Sequence, residues 1–106
     1  MSFINHDHLE EKELFPGFKG KFIHSENMTF AFWRVEKGSP APEHRHPHEQ
    51  VLILIEGNFE FTLNGETKII KPGMSVNIPS NVVHSGIAIT DCHIIDVFHP
   101  VREDFK

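Results

Sequence analysis

Three histidines and two carboxylates lie close together in the stretch EHRHPHEQ, residues 43–50. His44 and His46 are separated by one residue, so on an extended chain both side chains project from the same face. Gln50 keeps the same even register, and His84 follows far downstream, after the turn-like IPSNVVH. Imidazole is a good ligand for zinc, iron, nickel, copper and manganese. The pattern therefore favours a metal site completed by neighbouring strands over a histidine-rich surface loop, which would look similar.

Nearly all the elements that would position these side chains are strands. The segment KFIHSENMTFAFWRV indicates two strands joined by a polar SEN turn, VLILI a short buried strand, and FEFTL a strand with its apolar residues on one face. Gly57-Asn58 and Asn64-Gly65 are each typical of a two-residue hairpin turn. TKII and MSVNIP predict further strands on either side of a KPG turn. Short strands at regular spacing predict an all-β sandwich or barrel.

The last predicted strand, CHIIDVF, carries a charged residue among apolar ones. The period-2 rule places four of its side chains on one side, namely Cys92, Ile94, Asp96 and Phe98. A buried aspartate needs a partner or a function, whereas an edge position would leave it in water. Arg102 follows four residues after Phe98, and it could simply form a salt bridge with Glu103 or with another acid at the rim of the barrel. Asp96 and Arg102 are therefore candidates for a role in a pocket.

The chain is interpreted as one domain preceded by an arm. Its 106 residues suffice for a single core. The first fifteen residues, with LEEKEL near their end, predict a short helix or a loose arm, and FPGFKG then breaks the chain. We place the arm at residues 1–18 and a single β-barrel domain at residues 19–106.

The composition excludes several classes of protein. A formal net charge of −5 argues against a nucleic-acid partner, which needs a basic face, but a local cation would still allow an anionic substrate. The longest apolar run, VLILI, is too short to cross a membrane, and the N-terminus lacks the apolar core of a signal peptide. Cys92 is the only cysteine, so no intrachain disulfide can form. We expect a cytoplasmic protein without membrane or nucleic-acid partners.

Two separated motifs resemble those of the cupin superfamily. The first cupin motif has a glycine, His-x-His, a further ligand and a second glycine, and the matching residues are Gly38, His44, His46, Gln50 and Gly57. The second has a glycine, a proline and a histidine, and the matching residues are Gly73, Pro79 and His84. The resemblance implies a conical β-barrel of jelly-roll type that holds one metal between the two motifs.

Within that superfamily, the chain resembles the small single-domain cupins of the KdgF type. The similarity lies in HPHEQ, in IPSNVVHS and in the tail DVFHPVRED, residues 96–104. Cupins of that type open unsaturated monouronates, the products of polysaccharide lyases, into linear keto sugars. The resemblance implies four metal ligands, His44, His46, Gln50 and His84. It also implies that Asp96 moves a proton, that Arg102 binds the substrate carboxylate and that Phe98 packs on the sugar.

Gln50 departs from the glutamate that is usual in the first cupin motif. A neutral amide leaves the charge of a divalent ion uncompensated, so such a site should attract an anionic substrate and act as a strong Lewis acid. A strand-edge glutamine bonded to backbone is the alternative. Glu49, beside it, could orient a ligand imidazole or simply be solvated. His48 could lie near the site, face solvent or add a fifth ligand.

Three hypotheses about function remain at this point. The first is a metal-dependent enzyme that opens or isomerises a small sugar acid. The second is a non-haem iron dioxygenase acting on an enolisable substrate, which would not need a pocket carboxylate such as Asp96. The third is a non-catalytic metal- or sugar-binding domain. The ligand types fit zinc, nickel, iron, manganese or copper, and the resemblance implies a homodimer, with Trp33 and the FAFWRV strand lining either the cavity or the dimer face.

Overall fold

A computed structural model describes residues 2–106, which form two antiparallel β-sheets. The strands are β1 (Lys12–Phe15), β2 (Phe18–His24), β3 (Thr29–Val35), β4 (Pro40–His44), β5 (Glu49–Glu56), β6 (Phe59–Leu63), β7 (Glu66–Ile70), β8 (Ser75–Ile78), β9 (His84–Ala88) and β10 (Cys92–His99). Short 3-10 turns span His6–His8 and Glu103–Phe105. Within residues 2–106, no helix is long and apolar enough to cross a membrane.

The two sheets enclose one core. The six-stranded sheet has the order β1-β2-β3-β10-β5-β8, and the four-stranded sheet has the order β4-β9-β6-β7. Side chains from both sheets meet in a single apolar cluster, in which Phe18 of β2 lies edge-on to Phe59 of β6 with 6.5 Å between ring centroids. This arrangement confirms the all-β prediction and is consistent with a jelly-roll barrel.

The N-terminal segment differs from the expected helix or loose arm. Lys12–Phe15, part of LEEKEL and the residue after it, forms edge strand β1 and pairs with β2. Phe15 packs against the aromatic rings of Phe18 and Trp33, and this tertiary packing overrides the local helical pattern. The sheet therefore begins before residue 19, where we expected the barrel domain to start.

One of the two predicted hairpin turns is correct and the other is wrong. Asn64-Gly65 joins the paired strands β6 and β7, and both residues have positive φ, as a type I′ turn requires. Gly57-Asn58 instead lies between β5 and β6, which belong to different sheets. The backbone N–H and C=O of Asn58 bond to residues 89–90 rather than closing a hairpin.

Alternation within the central strands decides which side chains reach the interior. In β10 the predicted set of Cys92, Ile94, Asp96 and Phe98 is buried. VLILI in β5 is buried on one face only, because Val51 and Ile55 are exposed while Leu52 and Leu54 are in the core. The prediction of a fully buried strand is therefore wrong, and β5 is a half-buried strand typical of antiparallel sheets.

Candidate metal centre and its cavity

The three histidines of the two sequence motifs meet at one end of the barrel. His44 ends β4 and His84 begins β9, and the two residues are register partners in the four-stranded sheet. His46 lies two residues after the end of β4 and is buried. One nitrogen from each ring lies within 4.8 Å of the other two. This spacing is suited to three imidazoles around a single ion.

Each of these imidazoles is oriented by a backbone carbonyl two residues away. The Nδ1 atoms of His44, His46 and His84 contact the carbonyl oxygens of Pro42, His48 and Val82 at 2.7, 3.0 and 2.8 Å. A carbonyl only accepts, so each Nδ1 carries the proton and donates it. The three Nε2 atoms are then unprotonated in the neutral rings, which is the form that binds metal.

His84 has a polar atom that no protein group satisfies. The residue is 2% exposed, and its buried Nε2 has no hydrogen-bond partner within residues 2–106. Burial lowers the pKa of His84 to about 4, so the ring is neutral at physiological pH. A buried acceptor without a partner is costly, and a cation at this position would satisfy it.

The contact between His46 and Gln50 gives a second, independent indication of a cation. Their Nε2 and Oε1 atoms lie 3.0 Å apart, although Nδ1 of His46 already donates to a carbonyl. Burial lowers the pKa of His46, with a smaller contribution from Arg102, so the ring is neutral. Two acceptors therefore face each other, and a metal ion accounts for this arrangement. The histidines and Gln50 fit such an ion.

Asp96 fixes the orientation of the Gln50 amide. The Nε2 group of Gln50 donates to Oδ1 of Asp96 at 2.8 Å, and the indole N–H of Trp33 donates to Oδ2 at 3.0 Å. An ionised carboxylate only accepts, so Gln50 must present its NH2 group to Asp96 and its oxygen to His46. Gln50 lies on β5, in the six-stranded sheet, and is therefore not the backbone-bonded edge glutamine of the alternative interpretation.

Asp96 combines deep burial with access to the cavity. It lines the cavity from the middle of β10, and burial raises its pKa to about 6, against the opposing effect of the bonds from Gln50 and Trp33. A carboxyl group that titrates near neutral pH is able both to accept and to release a proton. The edge-strand alternative, in which water would satisfy Asp96, does not hold in this structure.

Arg102 is held at the cavity wall by three neighbours. Its guanidinium carbon lies 4.7 Å from the ring centroid of Phe98 and 4.0 Å from that of Phe105. Asp104 accepts from Nε at 3.0 Å and from Nη2 at 2.7 Å. These bonds hold the pKa of Asp104 below its usual range. The acid that pairs with Arg102 is thus Asp104, whereas Glu103 bonds Lys106.

These groups line one cavity of about 660 Å³. The histidines, Gln50, Asp96 and Arg102 provide its polar side, and its apolar walls come mainly from Leu14, Phe18, Trp33, Phe59, Phe61 and Phe98. Phe98 packs edge-on to His46, with 5.8 Å between ring centroids. The cavity therefore places a candidate metal site, a carboxyl group and a guanidinium beside aromatic surfaces, as ligand sites commonly do.

Sequence reasoning missed two residues that shape the site, Asp104 and Phe105, and left the places of Trp33, Glu49 and His48 open. Trp33, for which both the cavity and a dimer face were open, lines the cavity and donates to Asp96. Asp104 and Phe105 hold Arg102, and no local pattern marks them. Glu49 lies exposed at the start of β5, and backbone carbonyls rather than its carboxylate orient the imidazoles. His48 lines the cavity beside His46.

Comparisons with known proteins agree with this arrangement. The family model described as "Cupin domain" matches residues 31–98. The chain is 30% identical over 102 residues to the pectin degradation protein KdgF of Dickeya dadantii, covering 93% of each protein.

Two solved structures superpose closely on this chain. KdgF from Halomonas sp. superposes with a TM-score of 0.90 at 30% identity, covering 98% of this chain and 96% of that one. An RmlC-like cupin from Shewanella frigidimarina superposes with a TM-score of 0.94 at 28% identity, covering 100% and 96%. Motifs, fold and relatives lead to one conclusion: the chain belongs to the cupin family.

Proposed function

We propose that this cupin is an enzyme that opens the ring of an unsaturated monouronate, with one divalent metal held by His44, His46, His84 and Gln50. The observation that carries the proposal is the buried carboxyl group of Asp96, which lines the metal cavity and contacts Gln50 directly. The relative named as a pectin degradation protein supports the substrate class.

Arg102 is the group we assign to the substrate carboxylate. Asp104 uses Nε and Nη2, which leaves Nη1 as a donor for the substrate. Planar guanidinium groups recognise carboxylates well, and the two phenyl rings on either side keep this one in place. Phe98, which contacts both Arg102 and His46, provides the surface on which the sugar packs.

Ring opening of an unsaturated uronate is a redox-neutral proton transfer. The hemiacetal hydroxyl loses a proton, the ring C–O bond breaks, and an alkene carbon gains a proton as the enol becomes a ketone. Asp96 can take the first proton and deliver the second, because its carboxylate has lone pairs beyond the two used by Gln50 and Trp33. When bound, the divalent ion would supply Lewis acidity and bind sugar oxygens.

The neutral ligand set suits an anionic substrate. Three imidazoles and one amide leave the charge of a divalent ion uncompensated by its ligands, and Asp104 offsets the charge of Arg102 at the cavity wall. The dioxygenase hypothesis would use the same histidines but gives Asp96 no role. Cys92, buried and unpaired, is compatible with a reducing compartment such as the cytoplasm.

The test is turnover of an unsaturated monouronate by protein loaded separately with zinc, nickel, iron, manganese or copper. Loss of the ultraviolet absorbance of the ring alkene reports the reaction, and an oxygen electrode runs in parallel. We expect acceleration with several ions and no oxygen consumption. Asp96→Asn should abolish the metal-dependent loss of absorbance. Asp91→Asn, at an exposed aspartate, should leave it unchanged. The proposal fails if no ion accelerates the loss, and iron-dependent oxygen consumption with an enolisable substrate would favour the dioxygenase.

A further inference from the structure

A row of side chains crosses the six-stranded sheet at the end that carries the candidate metal centre. Gln50 of β5 is the register partner of Phe98 in β10. Phe98 in turn lies opposite Thr29 of β3, which lies opposite His24 of β2. Directly opposite residues of antiparallel strands have their side chains on the same face of the sheet. Thr29 and His24, which the proposed reaction does not use, therefore extend the row that begins at the site.

Thr29 is a fully buried polar residue in a strand whose inner face is otherwise apolar. Its side chain is 0% exposed, and the other inward residues of β3 are Ala31, Trp33 and Val35. A buried hydroxyl costs free energy unless it is hydrogen-bonded. The hydrogen-bond partners of Thr29 therefore indicate what its hydroxyl does.

One partner of this hydroxyl is the backbone of Arg102. The amide N–H of Arg102 donates to Oγ1 of Thr29 at 2.8 Å, although the two residues are 73 positions apart in sequence. Arg102 lies beyond the end of β10, outside the ladder of the sheet. Its carbonyl oxygen accepts from the N–H of Phe105 at 3.1 Å. Both backbone groups of Arg102 are thus held, and Thr29 ties them to the six-stranded sheet.

The other partner of the Thr29 hydroxyl is the ring of His24. Its Nδ1 lies 2.8 Å from Oγ1 of Thr29. Burial lowers the pKa of His24, with smaller contributions from Lys106 and Lys12, so the ring is neutral at physiological pH. With its proton on Nε2, the ring accepts the hydroxyl hydrogen at Nδ1, and the hydroxyl oxygen is then turned toward the N–H of Arg102. The opposite tautomer would leave the hydroxyl hydrogen without this acceptor.

Aromatic packing gives His24 a second connection to Arg102. The ring of Phe22 stacks on that of His24, with 6.3 Å between centroids, and lies 5.3 Å from the ring of Phe105. Phe105 covers the guanidinium of Arg102 at 4.0 Å. The residues of β2 and β3 therefore support both the backbone and the side chain of Arg102.

We propose that Thr29 and His24 are positioning residues, which hold Arg102 where its guanidinium can bind the substrate carboxylate. This inference rests on the role given to Arg102 in the proposed function. Neither Thr29 nor His24 lines the cavity, so both act through Arg102 and not on the substrate itself. Loss of the hydroxyl frees the backbone at residue 102, and a displaced binding group weakens substrate binding more than it slows the proton transfers at Asp96.

The first measurement is hydrogen exchange, followed by NMR, at the backbone N–H and the Nε–H of Arg102, and it needs no substrate. Thr29→Val keeps the branched side chain but removes the hydroxyl, and we expect both groups to exchange about tenfold faster. Thr29→Ser keeps the hydroxyl and should restore the wild-type rates. His24→Phe keeps an aromatic ring against Phe22 but removes the acceptor, so it should also speed exchange at Arg102.

Thr90→Val is the matched control. The Thr90 hydroxyl accepts the backbone N–H of Asn58 at 3.0 Å, so the variant loses the same kind of bond. Thr90 precedes the start of β10, whereas Thr29 pairs with Phe98 near the end of that strand. A loss of stability alone would affect both variants, but faster exchange at Arg102 should occur only in Thr29→Val.

The second measurement is steady-state kinetics on an unsaturated monouronate, with metal content matched between variants. We expect Thr29→Val to raise KM about fivefold and to leave kcat within about twofold of the wild type, because binding and not chemistry depends on Arg102. Thr29→Ser and Thr90→Val should keep the wild-type KM.

Unchanged exchange at Arg102 in Thr29→Val overturns the proposal. So does an equal increase in Thr90→Val, or a KM that stays constant while Arg102 exchanges faster. A wild-type protein that does not turn over the monouronate would instead refute the proposed reaction. The exchange rates would still decide whether Thr29 and His24 hold Arg102, so the two failures are distinguishable.

Discussion

At the scale of single residues, hydrogen-bond direction determines what the site can bind. His46 donates once, to a carbonyl, and so meets Gln50 as one acceptor meets another. Gln50 cannot turn its NH2 group toward His46 without presenting its oxygen to Asp96, whose ionised carboxylate also only accepts. Asp96 therefore sets the orientation of the Gln50 amide, which turns its oxygen toward Nε2 of His46. A cation between these two acceptors would satisfy both.

Gln50→Glu tests whether the neutral ligand matters. A carboxylate at this position would bring a second negative charge to the place where Gln50 now donates to Asp96 at 2.8 Å. We expect metal to bind at least as tightly, but kcat/KM for an anionic substrate to fall at least tenfold, because the charge that attracts the substrate is partly neutralised. Steady-state kinetics on metal-quantified protein measure this effect, and an unchanged kcat/KM would contradict it.

At the scale of elements, the C-terminal 3-10 turn positions Arg102. Asp104 lies in this turn, and its two bonds to Arg102 depress its pKa. A depressed carboxyl pKa contributes stability above the unfolded value, near 3.8, and this contribution is lost as pH falls through the folded value. The turn and the guanidinium are therefore coupled in a pH-dependent way.

Asp104→Asn removes this coupling. We expect KM for the uronate to rise about tenfold through the loss of an ordered guanidinium, with kcat less affected. The melting temperature of the wild type should fall more steeply than that of the variant below about pH 4, because the variant has no carboxylate to protonate. Glu103→Gln is the control, since Glu103 bonds Lys106 instead. Parallel acid melting curves for wild type and Asp104→Asn would contradict the assignment.

The connection between β5 and β6 depends on Gly57. Its φ is +89°, and an added Cβ would collide with the carbonyl oxygen of Asp91 and with Thr90. Gly65 has a similar φ of +85° but open space around it. We expect Gly57→Ala to cost about 3 kcal/mol or more and Gly65→Ala about 1 kcal/mol. Chemical denaturation measures the free energy of unfolding of each variant. Equal losses of stability in the two variants would contradict this role of Gly57 in the β5–β6 connection.

Local patterns predicted the strands but not their partners. The alternation in CHIIDVF identified the inward residues of β10, and Asn64-Gly65 identified a hairpin, because both depend on neighbouring residues alone. Gly57-Asn58 has an equally good turn sequence, but the strands that it joins pair elsewhere. β1 was likewise missed, since its packing on Trp33 is a distant contact.

In the candidate site, too, the residue types could be predicted from the sequence but their distant contacts could not. Two sequence motifs were enough to bring His44, His46, Gln50 and His84 into consideration, and the structure places them together. The Trp33–Asp96 bond joins residues 63 positions apart, and no spacing rule could have indicated it. Contacts that orient a functional group are non-local, whereas the group itself is recognisable by type.

At the scale of the whole molecule, the candidate metal centre connects the two sheets. His44 and His84 belong to the four-stranded sheet and Gln50 to the six-stranded one. An ion bound by all three would therefore hold the barrel closed at this end. Ligands that bind only the folded state stabilise it by mass action.

Metal should accordingly raise the melting temperature. A free ion concentration of about one hundred times the dissociation constant adds roughly 2.7 kcal/mol, which corresponds to an increase of about 10 °C or more for a domain of this size. His84→Ala should remove most of the increase, while His93→Ala, at an exposed histidine of β10, should retain it. Calorimetry with and without chelator measures the effect. Equal melting temperatures for the wild-type protein with and without metal would contradict it.

The most direct test of the account is a metal titration of turnover. Metal-free protein receives zero to two equivalents of divalent ion, and the initial rate of unsaturated monouronate loss is recorded at each step. We predict a rate that rises linearly and stops rising at one equivalent, with Asp96→Asn inactive although its metal content is matched. Turnover by the metal-free protein, or none at any loading, would contradict the central claim that one metal and Asp96 act together on a sugar acid.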